Sequence, residues 1–476
     1  MSAQQKTSGE RTTAQASEAR NDFTKGSVSG VILKLAIPMT VAQLVNVLYN
    51  VVDRIYIGLL PNDATLSLTG LGVCLPIVSL IMGFANLFGM GGSPLSSIAR
   101  GRGDNDEAEK IMGNSFAMLL YTGVVLTALL LLVRRPMLYL LGASGNTFPY
   151  ANRYLTIYVL GTIFVMLGLG MNAFIDSQGF ARTGMMTVII GAVMNIVLDP
   201  LFIFVFHMGV SGAAMATILS QMVSAVWILR FLTGSKTILR LKRQNMHLEA
   251  HRCRRIITLG FSGFVMSATN SLVEMVCNTT LQSWGGDLYV GVMTVLSSLH
   301  EIALQAVRGL THSAQPVFGF NYGAGEYGRV KRGIVFLTIS TVLYALLVWF
   351  LMVTFPEFFI RIFNRDEALI QKAIPALHVY FFGFFMMALQ FTGQSAAIGL
   401  GRSAQAIFFS IFRKVIIVVP LTILLPKLGF GVMGVFIAEP ISNFIGGAAN
   451  YITMLLTIWR DLSREMKPRR LQRPLE

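Results

Sequence analysis

The chain has 476 residues, of which 54% are hydrophobic and only 13% charged, with a mean hydropathy of +0.63 and a formal net charge of +15. Ordinary soluble domains carry roughly 25% charged residues, so this chain cannot cover a water-facing surface, and a large soluble protein with an apolar core is excluded. The excess positive charge lies in short connections with no aromatic-basic patch, which excludes a nucleic-acid partner, and the scattered Cys74, Cys253 and Cys277 form neither a disulfide framework nor a metal-ligand spacing.

Residues 1–28 are polar and mixed in charge, without the basic-then-apolar order of a cleavable signal, and read as a disordered cytoplasmic tail. Apolar stretches of about 18 or more residues, each long enough to cross a bilayer as a helix, then recur to the end of the chain. They predict spans near 31–58, 68–97, 112–133, 150–172, 183–206 and 211–232, and a second set near 256–282, 288–318, 333–355, 368–395, 404–426 and 431–458. The expected fold class is an all-α integral membrane protein, with twelve transmembrane helices in two pseudo-symmetric six-helix lobes. The N-lobe is expected over 29–232, a cytoplasmic linker over 233–255, the C-lobe over 256–458 and a cytoplasmic tail over 459–476. Fifteen Lys and Arg residues in one set of loops against six in the other place the first set, and both termini, in the cytoplasm. The linker charges read as anchors to anionic lipid.

The first span contains Asn46, Asn50 and Arg54 at i, i+4, i+8, with Asp53 beside them. A carboxylate facing lipid would cost about 3 kcal/mol at mid-membrane, so this face is expected to point into protein or water. Such a carboxylate can escape the cost by taking a proton or a cation, which makes it a two-state switch. The fourth span ends with Asn172 and Gln178, which read as polar lining or loop structure. In the fifth, Asn195 and Asp199 are i, i+4 and can bracket a cation, and Pro200 frees a backbone carbonyl upstream. The N-half cation site is therefore expected at Asp53, Asp199, Asn50 and Asn195, with Na+ able to sit at Asp53, Asp199 and Asn195.

In the second half, Glu274 and Asn278 are i, i+4 in the seventh span, and Glu301, Gln305 and Arg308 share a face of the eighth beside His300. Arg413 and Lys414 interrupt the eleventh span, and Glu439 and Asn443 lie in the twelfth. A substrate cavity is expected to draw on Asn46, Asn172, Glu274, Asn278, Glu301, Gln305, Arg308 and Arg413. Carboxylates there suit amphipathic cations, which some of the 33 Phe and 25 Met would hold loosely.

The halves echo each other. Gly101, Gly103 and Asp104 match Gly323, Gly325 and Glu326 at a shift of 222. Pro94 matches Pro316, and Gly209 and Gly212 match Gly431 and Gly434. GFAR ending at Arg182 is echoed by GLGR ending at Arg402, at a shift of 220. Six spans per repeat preserve orientation, so the repeats are parallel, and two similar bundles suit alternating access. GxxxxGK[ST], HExxH and GxSxG are all missing. The chain is thus expected to be no enzyme and to use no cofactor, with an ion gradient, of H+ or of Na+, as its energy source.

Five stretches in order carry a resemblance: the span from Pro38 to Gly58 with YNVVDRIYIG, GMGGSPLSSIARGRGDNDEAEK at 89–110, GAVMNIVLDPLFIF at 191–204, GVSGAAMATILSQ at 209–221 and QPVFGFNYGAGEYGRVKR at 315–332. Over about residues 30–458 the chain resembles the multidrug and toxic compound extrusion (MATE) transporters, most of all the bacterial MepA-like subgroup rather than the NorM type. The resemblance implies a V-shaped, twelve-helix antiporter, acting as a monomer in the bacterial inner membrane and exporting amphipathic cations in exchange for H+ or Na+. It implies a cation site at Asp53, Asn50, Asp199 and Asn195, and a seventh-helix role for Glu274. The tenth span has no interior acid, so the C-lobe site of the NorM type is in doubt. A lipid-linked oligosaccharide flippase of the wider superfamily stays open through Arg308, Arg413 and Lys414.

Overall fold

The computed structural model describes residues 21–60, 64–363 and 365–466, excepting the side chains of Asn50, Arg54, Ala64 and Thr65. Residues 1–20 of the expected N-terminal tail and 467–476 of the C-terminal one lie outside the described residues, as do the roles expected of the Asn50 and Arg54 side chains. All regular structure among the described residues is helical: α1 Val28–Gly58, α2 Ala64–Gly101, α3 Asn105–Leu140, α4 Phe148–Leu160, α5 Thr162–Ser177, α6 Ala181–Pro200, α7 Val210–Thr233, α8 Ala250–Gly323, α9 Tyr327–Thr354, α10 Pro356–Phe363, α11 Glu367–Phe381, α12 Phe384–Gly399, α13 Ser403–Ile411, α14 Val419–Leu425, α15 Met433–Met454 and α16 Arg460–Glu465.

Nine of these helical runs are long and apolar enough to cross a membrane, and two bent pairs, α4–α5 at 56° and α11–α12 at 45°, each pass as one span. The 74-residue α8 contains Gly286 at φ 67, ψ −167, which is not helical, so it is two helices joined across a kink. By length and composition the described residues thus hold up to eleven such spans against the twelve expected, and α8 alone has the length of two. Their boundaries follow local chemistry. Asp104 opens α3 by accepting from the Glu107 amide at 2.9 Å, and Asp106 and Glu107 add negative charge to the first turn. Pro200 closes α6 into a π-helical turn, Leu201–Val205, and a second π-helical stretch, Phe412–Val418, carries Arg413 and Lys414.

The repeat is written in the backbone. Gly103, Gly179 and Gly209 have positive φ, and so do Gly325, Gly401 and Gly431, each 222 positions later. Gly161 breaks α4 from α5, and Gly383, at the same offset, precedes α12. The pairing of GFAR with GLGR at 220 is thereby corrected to 222: the partner of Gly179 is Gly401, because a glycine able to adopt positive φ is what that turn requires.

By contacts the chain divides into unit 1, Met1–Asp22 with Ile37–Phe264, and unit 2, Phe23–Ala36 with Val265–Glu476. The divisions fall inside α1 and α8. In unit 1 the start of α8 packs closely on α2, where a Cβ on Gly260 would lie 1.7 Å from the Leu87 carbonyl oxygen. In unit 2 the segment before α1 is packed: Phe23 is buried edge-on against Phe320, and Arg329 donates to the carbonyls of Phe23 and Gly26, each at 2.9 Å.

The connection from α7 to α8 is clamped to unit 1. Gln178, fully buried, accepts from Thr237 Oγ1 at 2.8 Å, Ile238 N at 3.0 Å and Leu239 N at 2.7 Å. Glu109 accepts from Arg240 N and pairs with Lys242, Asn114 accepts from Glu249 N, and Glu107 holds Arg252 at 2.6 Å. Lys242 and Arg252, expected to anchor to lipid, are spent on these carboxylates. Gln178→Ala would leave two backbone amides without their acceptor at about 1–3 kcal/mol each. It should lower the melting temperature of the detergent-purified protein and speed proteolysis between residues 233 and 249, whereas Gln178→Glu should do less.

Candidate functional site

Of the polar residues expected in the N-half, Asn195 and Asp199 stand together where α6 ends. Asn195 and Asp199 are one helical turn apart and both are buried, with exposures of 1% and 0%. Asn195 Nδ2 donates to Asp199 Oδ1 at 3.4 Å and to Thr217 Oγ1 on α7 at 3.4 Å, and Thr217 in turn donates to the Ala213 carbonyl at 3.0 Å. Both bonds from Asn195 are long. Asn195 Oδ1 and Asp199 Oδ2 are buried with no hydrogen-bond partner among the described residues. An orphaned buried acceptor costs about 1–3 kcal/mol, and an uncompensated buried carboxylate costs more. A proton on Asp199, or a small cation shared by these two oxygens and Thr217, would remove that cost.

Asp53 is half-buried near the end of α1. One turn on, the Tyr56 ring meets Phe204, in the turn after α6, edge-on at 6.3 Å. The structure thus brings Asp53, Asn195 and Asp199 to one region of unit 1, and Asn46 lies half-buried farther back on α1. With two like charges nearby, a bound cation is favoured over two bare carboxylates. Oxygen donors of this kind suit a hard cation such as Na+ or a proton, and among the described residues no three His, Cys, Asp or Glu side chains gather as for a transition metal.

Two polar residues of unit 1 were missed by sequence, Thr217 in this group and Asp176 beside Gly184 near the start of α6. Thr217 carries no signal, since a lone hydroxyl in an apolar helix usually satisfies its own backbone. Asp176 repeats the pattern of Asp199: Asn172 Nδ2 donates to Asp176 Oδ2 at 3.5 Å across one turn of α5, and Oδ1 of each is buried without a partner among the described residues. The spacing Asn172-x-x-x-Asp176 was the available clue. Gln178 serves the fold through the clamp described above.

Unit 2 holds a second polar cluster. Arg413, 2% exposed, donates through Nη1 to Gln390 Oε1 at 2.9 Å and through Nε to Ser442 Oγ at 3.4 Å, and forms an ion pair with Glu439, itself 4% exposed. Lys414 Nζ reaches the same Glu439 oxygen at 3.4 Å. Arg413 therefore joins α12 and α15, which makes it a packing clamp rather than an open cavity wall. The expected face of α8 is present: Arg308 grips Glu301 with two bonds of 3.0 and 3.1 Å, and the buried Gln305 leaves Oε1 without a partner among the described residues. Glu274 is exposed and Asn278 half-buried, and no ion pair to Glu274 occurs among the described residues.

Comparison with known proteins adds the family context. The MatE family model matches residues 38–201 and 264–424. The multidrug export protein MepA of Staphylococcus saprophyticus is 26% identical over 417 residues, covering 87% of this chain and 90% of that protein. MepA of Staphylococcus aureus strain MRSA252 is 26% identical over 423 residues, with the same coverage. A solved MATE transporter in the bent conformation superposes with a TM-score of 0.88 at 22% identity, covering 95% of this chain and 98% of that one.

Proposed function

The chain belongs to the MatE family of membrane transporters, and from that premise we infer that it is a secondary active exporter of amphipathic organic cations, driven by inward movement of H+ or Na+ through the Asp199 pocket. Its relatives named multidrug export proteins support the cargo class. The observation that carries the coupling is the buried Asn195–Asp199–Thr217 group, whose two orphaned oxygens are costly when empty and satisfied when a cation arrives. An ion that binds one conformation of this pocket better than another shifts the balance between them, and any cargo with the opposite preference is then exchanged for it. In this reading the protein is no enzyme. It works as a monomer in the plasma membrane with both termini in the cytoplasm, and its residues hold the cation without a resident cofactor.

A flippase for lipid-linked oligosaccharides draws on the buried Arg413 and Lys414. The Asp199 pocket weighs against it, because a buried carboxylate disfavours a pyrophosphate cargo. Proteoliposomes loaded with an ethidium-like cation test the reading when pH and Na+ gradients are imposed separately. Efflux against the dye's own gradient, driven by one of the two, is the expected result and names the ion. No movement under either would sink the antiporter.

A further inference from the structure

Unit 2 carries an apolar groove between α11 and α15. His378, Phe382, Pro440, Ile441 and Phe444 are among its walls, and its volume is about 580 Å³. The ring nitrogens of His378 are the polar side-chain atoms of that set, and Nε2 donates to the Val353 carbonyl at 3.1 Å. Phe382 and Phe444 are exposed. Both helices belong to runs long and apolar enough to cross a membrane, so the groove lies at the depth of the hydrocarbon layer.

The groove has a local cause. Gly383, at φ 81, breaks α11 from α12 with a bend of 45°. In unit 1 the matching glycine is Gly161, where a Cβ would lie 2.1 Å from Ile218 Cδ1, so the Ile218 side chain presses directly on the break. The counterpart of Ile218, 222 positions on, is Pro440. A proline ring is tied back to its own backbone and cannot reach out in that way. Phe444, one turn later, lies against Gly383 instead, and its ring meets those of Phe382 at 5.7 Å and Phe385 at 6.0 Å.

A cation stands on the same face of α11. Lys372, Pro375, Val379 and Phe382 recur at three- and four-residue spacing, which puts them on one side of the helix. Lys372 is exposed, and Glu367, at the start of the helix, is held by Arg361 at 2.7 Å. From Lys372 to Phe382 the helix rises about 15 Å, half of the roughly 30 Å hydrocarbon layer. A basic residue above an apolar trough one leaflet deep suits a phosphate with a hydrocarbon chain below it. We propose that this groove holds one acyl chain of an anionic phospholipid, whose headgroup sits at Lys372.

Photolabelling of the full chain in phosphatidylcholine nanodiscs tests this. Two probe lipids carry the same diazirine-bearing acyl chain, one on phosphatidylglycerol and one on phosphatidylcholine. Adducts on the peptide holding Ile441 and Phe444 are compared by mass spectrometry with those at the exposed Leu343 and Leu347 of α9. In wild type the phosphatidylglycerol probe should label the groove above the α9 level. Its excess over phosphatidylcholine there should fall roughly fivefold in Lys372→Gln, the worth of one basic residue beside an anionic lipid, and return in Lys372→Arg. Ile441→Trp, which fills the trough, should lower groove labelling by both probes and leave α9 unchanged. Groove labelling no higher than at α9, or an excess that Lys372→Gln does not change, overturns the proposal. So does a groove that neither probe labels, which would mean that a second copy of the chain covers it.

Discussion

Asp199→Asn should abolish ion-driven export while leaving a folded protein. Asn fills the same space, can still bond to Asn195, and cannot change charge. The buried carboxylate with an orphaned oxygen is a liability for the resting fold, so the melting temperature should stay level or rise. Coupling needs a group whose charge depends on ion occupancy, and a coupling free energy of a few kcal/mol corresponds to roughly a hundredfold in exchange. Export against a gradient in proteoliposomes should drop by about that factor, with dye binding retained. Asp53→Asn should act in the same direction, since Asp53 lies one turn before Tyr56, whose ring meets Phe204 just past α6. Thr217→Val should weaken coupling less, because it removes one neutral oxygen. Normal pumping by both Asp variants would refute the site.

Glu439→Gln should be the most destabilising single change in unit 2. It leaves Arg413, 2% exposed, and Lys414 without a carboxylate partner. Breaking a buried pair by removing one partner costs about 3–5 kcal/mol, a large part of what holds a typical fold together. The expected readout is a melting temperature lowered by many degrees, or loss of the protein from the membrane fraction on expression. Replacing Arg413, Lys414 and Glu439 together by Met, Met and Leu should recover much of that loss, since no buried charge then lacks a partner. A Glu439→Gln protein as stable as wild type would show that water reaches the cluster and carries its charge.

Much of the fold was legible in the sequence, because a bilayer imposes a simple rule: about 20 apolar residues per span, with all backbone groups bonded within the helix. The repeat was legible at Gly103/Gly325 and Gly209/Gly431, where only glycine readily takes the required φ. It was misread by two positions at Gly399, where the neighbouring Gly401 takes the turn. Asn195 and Asp199 were readable because four residues on a helix is contact distance. Asp176 obeyed the same rule and was passed over. The Arg413–Glu439–Gln390 cluster joins residues 23 and 26 positions apart, and no local periodicity pairs side chains across separate helices. The clamp at Gln178 was equally invisible, since it reaches 59–61 positions along the chain to an irregular segment.

The central claim is that one buried carboxylate exchanges a coupling cation for cargo, and ion release measures it most directly. Purified protein is mixed with a cationic dye in weakly buffered solution, and a pH indicator and a Na+ electrode count what leaves. The account predicts that wild type releases H+ or Na+ in proportion to dye bound, and that Asp199→Asn binds dye and releases neither. Equal release from the two proteins would contradict it.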